Sequence, residues 1–282
     1  MEEGFFEGSE PRIHWQAHAV EGAAAAVAIV HGYGEHGGRY MELFRALGEA
    51  ELSCFLLDLR GHGLSKGARG HVARFEDYLE DLGRLVEMAR SSSDRVFLLG
   101  HSLGGLVTLR YLLEDAAFAG AVVSAPYLRL AFEPPSWKLA LAGWLRRLAP
   151  RLPIPSGLRH EMLTRDPDRL AQVKADPLYF TTTTAGWFFE ALRAQEEVRA
   201  RAAEIRLPLL GLVPLADPVV DPRATLEFFE RVGSEDRRLV RFEGALHEVF
   251  NEVPEIRGPA VAAVRDWILE RAGRGAARAG AP

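Results

Sequence analysis

The stretch LLGHSLGG, residues 98–105, decides how the rest of this 282-residue sequence is interpreted. It carries a G-x-S-x-G pattern around Ser102, with an apolar run before it and an apolar-periodic segment after it. This context favours a sharp strand-to-helix turn, which raises a serine hydroxyl above a sheet at a helix N-terminus, where negative charge is stabilised. Gly100 and Gly104 remove side chains that would clash in such a turn. Ser102 is therefore the candidate nucleophile.

On both sides of this turn, short apolar runs alternate with amphipathic segments. Besides the run before Ser102, strands are predicted in AAAAVAIVHG (23–32), LSCFLLD (52–58), GAVVSAP (120–126), LPLLGLV (207–213) and RRLVRFEG (237–244). Near-continuous apolar strands separated by helices indicate a mostly parallel central sheet that is flanked by helices on both faces. The predicted fold class is therefore α/β.

The alternation stops between residues 127 and 205, where no strand is predicted and the segments are helical. We interpret 127–205 as a helical cap inserted between two strands. The cap divides the core into 1–126 and 206–272, and 273–282 is predicted to be a flexible tail.

The helix WKLALAGWLRRLAPRL, residues 137–152, carries an apolar face that includes Trp137 and Trp144. Either it packs on the body as an ordinary helix, or part of its apolar face lines a site. Under the second interpretation Trp137, Trp144, Phe188 and Phe189 are candidates for substrate binding. Each of them could equally belong to the core or fill the cap itself.

Composition excludes several classes of function. The net charge of −5 offers no basic surplus for binding nucleic acid. Cys54 is the single cysteine, so an internal disulfide or a thiolate metal cluster cannot form. The first residues lack the features of a signal peptide, and no apolar stretch reaches the ~18 residues of a membrane span. A cytoplasmic protein is expected, and its oligomeric state is not indicated.

A serine that attacks a carbonyl needs N–H donors for the developing oxyanion. One is the backbone N–H of the next residue, Leu103, and the second comes from the loop after an earlier strand. That loop is HGYGEHGGRY, residues 31–40, where Tyr33 is the natural donor. The loop matches neither G-x-x-x-x-G-K-[ST] nor G-x-G-x-x-G, so a phosphate site is not predicted.

Nine histidines compete for the role of general base. Only His247, in FEGALHEVFNE, lies after the last predicted strand, where the chain order Ser…Asp…His places the base. The histidine spacings do not resemble H-E-x-x-H, so no metal site is predicted.

The acid should follow the strand LPLLGLV, and LVPLADPVVDP (212–222) offers both Asp217 and Asp221. Asp221 precedes Pro222 and a helix, an arrangement typical of a helix N-cap. Asp217 has no such role, and Pro218 biases it towards an extended conformation. We therefore assign Asp217 to a Ser-His-Asp triad.

With these residues placed, the chain resembles the monoacylglycerol lipase and lysophospholipase group of α/β hydrolases. The resemblance rests on HGYGEHGGRY, DLRGHGLSKGARGHV (58–72), GHSLGG, ADPVVDP and GALHEVFNE, and it covers most of the chain outside the cap. It implies the α/β-hydrolase fold, Ser102, Asp217 and His247 as the triad, and Tyr33 and Leu103 as oxyanion donors. The segment RGHGLSKG is given no catalytic role.

These observations predict a serine hydrolase that cleaves esters of single-chain lipids through an acyl-enzyme, without a cofactor. The cap is a candidate for transient contact with a membrane or micelle surface. Thioester cleavage, acyl transfer or perhydrolysis on the same triad stay open, whereas dehalogenation is disfavoured because Ser102 stands where that route uses a carboxylate. A non-catalytic lipid-binding protein is a third hypothesis, and an intact triad argues against it.

Overall fold

A computed structural model describes residues 1–133 and 135–273. Its strands are β1 (Glu2–Phe5), β2 (His14–His18), β3 (Ala26–Val30), β4 (Ser53–Leu57), β5 (Val96–His101), β6 (Gly120–Ser124), β7 (Pro153–Pro155), β8 (Thr182–Thr184), β9 (Leu209–Pro214) and β10 (Arg237–Phe242). Its α-helices are α1 (Met41–Glu49), α2 (Glu76–Ser92), α3 (Leu103–Tyr111), α4 (Ser136–Leu148), α5 (Pro167–Ala175), α6 (Ala185–Ala200), α7 (Pro222–Arg231) and α8 (Pro254–Arg271).

Eight strands form one sheet in the order β1-β2-β4-β3-β5-β6-β9-β10. The pairs β1–β2 and β2–β4 are antiparallel, and every other pair in this sheet is parallel. The prediction of a mostly parallel sheet is confirmed. In the register, Val30 of β3 lies beside Gly100 of β5, so the loop after β3 and the turn at Ser102 leave the same edge.

Helices cover both faces of the sheet, as predicted. In β3, Val27 and Ile29 face the layer formed by α1 and α8, while Ala28 and Val30 face the layer that contains α2, α3 and α7. Alternate residues of one strand are thus buried in two different cores, which explains why the central strands are apolar along their whole length. Cys54 of β4 is buried in the first of these layers.

The segment between β6 and β9 contains α4, α5, α6 and a two-stranded antiparallel sheet of β7 and β8. The expectation that 127–205 holds no strand is therefore wrong. The two strands are three residues each, and β7 contains two prolines, which cannot donate to a ladder. Such short strands leave no periodicity that a sequence pattern could reveal.

Helix α6 packs against the body of the molecule. Its N-cap is Thr184, whose hydroxyl accepts from the N–H of Trp187. The buried residues Trp187, Ala191 and Val198 belong to the same core as α2 and α3. Among the described residues, no helix has the length and apolarity that a membrane crossing requires. Residues 274–282 of the predicted flexible tail lie outside the described residues.

Candidate active site

Ser102 lies at the turn between β5 and α3 and has φ 52° and ψ −115°, a strained conformation for a non-glycine residue. A Cβ at Gly100 would lie 2.2 Å from the carbonyl oxygen of Gly104, and one at Gly104 would lie 2.1 Å from that of Val30. Both glycines are required, because α3 starts in direct contact with the ends of β3 and β5. The predicted strand-turn-helix around Ser102 is confirmed.

The structure brings Ser102, His247 and Asp217 together at the carboxyl edge of the sheet. The distance from His247 Nε2 to Ser102 Oγ is 2.9 Å, and that from His247 Nδ1 to Asp217 Oδ2 is 2.7 Å. All three residues are buried. A nucleophile in contact with a base, which is itself oriented by an acid, is the arrangement that activates a serine hydroxyl.

Asp217 and Asp221 have different partners. Besides His247, Asp217 accepts hydrogen bonds from the N–H groups of Val219 and Val220 at 2.8 and 3.1 Å. Asp221 is the N-cap of α7, where its side chain accepts from the N–H of Arg223 at 2.9 Å, and it also pairs with Arg129. The helix-capping role predicted for Asp221 is confirmed. The ion pair with Arg129 joins α7 to the segment after β6, and neither local stretch of sequence indicates it.

The pKa of His247 is raised above its ordinary value. Burial by itself would lower it, but the charge of Asp217 and its hydrogen bond stabilise the imidazolium, and Glu248 and Glu35 add to this effect. A raised pKa makes an imidazole a stronger proton acceptor for a hydroxyl at hydrogen-bond distance.

Leu103 follows Ser102 in the chain, and Tyr33 lines the same cavity as Ser102. Leu103 is the first residue of α3, so its N–H has no partner within the helix. In the part of the chain that the structure describes, neither N–H donates a hydrogen bond. The Tyr33 side chain is anchored elsewhere, because its hydroxyl donates to the carbonyl of Thr182 at 2.8 Å. Both N–H groups are thus available as hydrogen-bond donors.

Charged groups that the sequence did not single out form a polar end of the site. Arg39 pairs with Glu35 at 3.2 Å and with Glu248, the residue after His247. Glu35 Oε1 also accepts from the hydroxyl of Tyr40, and its pKa is lowered to about 2: burial would raise it, but the positive charges that His101 and Arg39 can carry outweigh that effect. The only local signal was the spacing of Glu35 and Arg39, which places them one helical turn apart.

The segment RGHGLSKG has a structural role. Asp58 at the end of β4 accepts from the N–H groups of Gly37 and Leu64, each at 2.8 Å, and contacts His14. A Cβ at Gly63, where φ is 49°, would lie 2.3 Å from Asp58 Oδ2. This carboxylate therefore ties together the loops after β3 and β4.

A cavity of about 270 Å³ opens above Ser102 and His247. Its walls are mostly apolar and come from the cap and from loops of the core, and they include Leu130, Leu139, Ile154, Leu158, Phe188 and Val219. The polar residues Glu35, Tyr179 and Glu248 also line it. Binding sites for small molecules range from about 300 to 1,000 Å³, so this cavity lies just below the lower end of that range.

Of the four aromatic residues predicted to contact a substrate, only Phe188 lines this cavity. Trp137 and Trp144 are on the outer face of α4 and are 63% and 62% exposed, and Phe189 packs against Arg146 on that side. The expectation that Trp137, Trp144 and Phe189 line the site is wrong. The opposite face of α4, with Leu139 and Ala142, lines it instead.

Residues 21–254 match the family model described as serine aminopeptidase, S33. The chain is 32% identical to phospholipase YtpA of Bacillus subtilis over 232 residues, which are 81% of this chain and 89% of the relative. It is 33% identical to a monoacylglycerol lipase of Mycolicibacterium smegmatis over 230 residues, 80% and 82% of the two chains. The crystal structure of a Paleococcus ferrophilus monoacylglycerol lipase superposes with a TM-score of 0.85 at 31% identity and covers 92% of this chain and 99% of that one.

Proposed function

Because the chain belongs to the serine aminopeptidase S33 family of α/β hydrolases and is a carboxylic ester hydrolase that acts on lipid esters, we propose that its substrates are esters of single-chain lipids, of the monoacylglycerol or lysophospholipid type. The observation that carries this proposal is one apolar cavity, with Ser102 and His247 in its wall and carboxylates at a polar end. The names of the relatives agree with this substrate class.

We propose that Ser102 is the nucleophile, that His247 is the general base, and that Asp217 orients the imidazole. His247 takes the proton from Ser102 as Oγ attacks the ester carbonyl, and the imidazolium is stabilised by Asp217. The N–H groups of Tyr33 and Leu103 receive the oxyanion, each contributing about 3 kcal/mol to the barrier reduction. His247 then protonates the leaving alcohol, and water releases the acyl group from Ser102 by the same steps.

The lining of the cavity supports one orientation of the substrate. The acyl chain would lie among Leu139, Ile154 and Phe188, where its apolar surface is removed from water. The hydroxyl groups of the alcohol would lie near Glu35 and Glu248, which supply hydrogen-bond acceptors.

We also propose that the cap touches a membrane or micelle surface through the outer face of α4. This face carries large apolar side chains that are strongly exposed, namely Trp137 (63%), Leu141 (48%), Trp144 (62%) and Leu148 (62%). They recur every three or four residues, so they form one stripe along the helix. Arg147 and Arg151 are exposed near the C-terminal end of this stripe. Trp, Leu and Arg in this arrangement are typical of helices that lie on a lipid surface.

Covalent labelling and a substrate series test the proposed function. A fluorophosphonate probe should label the wild-type chain and S156A, whose serine also lines the cavity, but not S102A. Hydrolysis should be faster for esters with medium or long chains than for acetates. If the wild-type chain forms no adduct, the proposal that Ser102 is a nucleophile is wrong. A steep preference for acetate, or faster turnover of a thioester with the same acyl chain, would favour another substrate class.

A further inference from the structure

His31 is a buried residue of the loop after β3, and the proposed mechanism gives it no role. Its Nδ1 is 2.7 Å from the carbonyl oxygen of Gly32, and its Nε2 is 2.9 Å from the backbone N of Leu59. A carbonyl oxygen only accepts and an amide N–H only donates, so Nδ1 carries the hydrogen and Nε2 is unprotonated. The ring therefore bridges the loop after β3 and the residue after Asp58 as a neutral imidazole.

Charged groups face this ring, but burial determines its protonation. Burial lowers the pKa of His31, and the negative charges of Asp58 and Glu35 oppose this shift without overcoming it. A positively charged ring would also lose the hydrogen bond that Nε2 accepts from Leu59. The neutral form with hydrogen on Nδ1 is thus fixed by both partners.

The carbonyl held by His31 belongs to the same peptide group as the N–H of Tyr33. In a trans peptide the C=O and N–H bonds point to opposite sides. Gly32 and Tyr33 line the cavity together with Ser102, and a Cβ at Gly32 would lie 3.2 Å from Ser102 Cβ. With its carbonyl turned towards His31, which is fully buried, this peptide presents its N–H to the cavity.

This orientation needs a restraint, because the loop has glycines on both sides of Tyr33. Gly32 has no Cβ, and Gly34 has φ +78°, so the backbone between them can rotate at low cost. A flipped peptide would place the Gly32 carbonyl oxygen where a negative charge develops. The Glu35 carboxylate holds the N–H of Gly32 at 2.6 Å, which restrains the preceding peptide but not this one.

We propose that His31 is a positioning residue for the oxyanion hole: its Nδ1–H holds the Gly32 carbonyl and thereby directs the N–H of Tyr33 towards the reacting carbonyl. The inference rests on the proposed function, because it requires Tyr33 to be an oxyanion donor. His31 itself touches neither the substrate nor the triad.

The test compares H31F with H62F on a medium-chain ester. His62 is an equally buried histidine, with its ring 5.4 Å from the rings of both His31 and Tyr33, but it does not hold the Gly32 peptide. H31F should lower kcat by about 10²-fold, the loss typical of a missing oxyanion donor, with KM changed less than about threefold. Inhibition by a trifluoromethyl ketone, which binds as an oxyanion, should weaken by a similar factor. An uncharged ether analogue of the substrate should bind unchanged, and H62F should stay within about twofold of wild type.

If H31F does not fold, H31N and H31Q decide the question. The amide nitrogen of Asn can occupy the position of Nδ1, whereas that of Gln lies nearer to Nε2, so H31N should keep tighter ketone inhibition than H31Q. The proposal is overturned if a folded H31F matches H62F in kcat and ketone inhibition, or if H31N and H31Q lose inhibition equally. A wild-type chain that forms no fluorophosphonate adduct would instead contradict the proposed function itself.

Discussion

At the scale of single residues, the two aspartates after β9 show how surroundings determine the role of a side chain. Asp217 is buried and divides its two oxygens between His247 and the backbone of the next turn. Asp221 divides its oxygens between the N-terminus of α7 and Arg129. Two identical carboxylates four positions apart therefore orient an imidazole in one case and start a helix in the other.

Substitution of each aspartate should separate these two roles. We expect D217N to lower kcat by about 10³–10⁴-fold, because an amide no longer selects the productive tautomer of His247 or stabilises its imidazolium. D221A should leave kcat nearly unchanged and lower the free energy of unfolding by about 1 kcal/mol, through loss of the helix cap. Ester hydrolysis rates and thermal melts of both variants measure this, and the reverse pattern would identify Asp221 as the acid of the triad.

The residues that the sequence singled out are those with a local signal. Ser102 has its glycines, Asp221 has Pro222, and His247 has its place after the last strand. Arg39 and Glu248 are 209 positions apart, and nothing in either local stretch indicates that they pair. Contacts of this kind depend on how the loops at the sheet edge meet, so they could not be predicted from one sequence.

At the scale of elements, the central strands and the helices of the core follow from apolar periodicity, but the cap does not. The spacing of Trp137, Leu141 and Trp144 correctly predicts an amphipathic helix. Periodicity does not say whether an apolar face points inward, because a helix that covers a cavity can also be apolar outside. In α4 the side chains of both tryptophans, Leu141 and Leu148 are exposed, and the opposite face, with Leu139 and Ala142, lines the cavity.

The outer face of α4 should matter only for substrates presented in a lipid aggregate. We expect the double variant L141S/W144S to bind vesicles about tenfold or more weakly, since insertion of each apolar side chain contributes on the order of 1–2 kcal/mol. Its kcat/KM on a short, water-soluble ester should equal that of wild type. The control is L64S: Leu64 is as exposed as Leu141, at 48%, but lies between β4 and α2. Equal vesicle binding by L141S/W144S and L64S, measured by sedimentation, would rule out this surface.

At the scale of the whole molecule, several histidines around the site are buried without charge. Burial lowers the pKa of His62 and of His101 to about 3, and it also lowers that of His31. His31 is in the loop 31–40 after β3, the ring of His62 packs against Tyr33 of that loop, and the ring of His101 lies 4.8 Å from that of His247. Neutral rings let the fold place hydrogen-bonding groups beside His247 without adding positive charge that would oppose its protonation. The consequence is that the folded state is sensitive to acid.

We therefore predict that the free energy of unfolding decreases as pH falls from 7 to 5. Below pH 6.5 the unfolded chain binds protons on His62 and His101, whereas the folded chain does not bind them until the pH nears 3. His62 and His101 should each lower the free energy of unfolding by about 2 kcal/mol between pH 7 and pH 5. His247, whose pKa is raised, offsets part of this loss because it binds its proton more tightly in the folded chain. The carboxylates Glu35 and Asp58, whose pKa values are lowered, add to the loss only below about pH 4.5.

Urea unfolding at pH 7, 6 and 5 measures this dependence, with H62F as the matched variant. Removal of one buried histidine should reduce the slope of the free energy of unfolding against pH by up to about 1.4 kcal/mol per pH unit. The reason is that the unfolded chain then binds one proton fewer. A wild-type stability that is constant or rises between pH 7 and 5 would contradict the prediction, and so would an H62F slope equal to that of wild type. Since the ring of His62 packs against Tyr33 but His31 holds the Gly32 peptide, the same variant separates acid sensitivity of the fold from loss of catalysis.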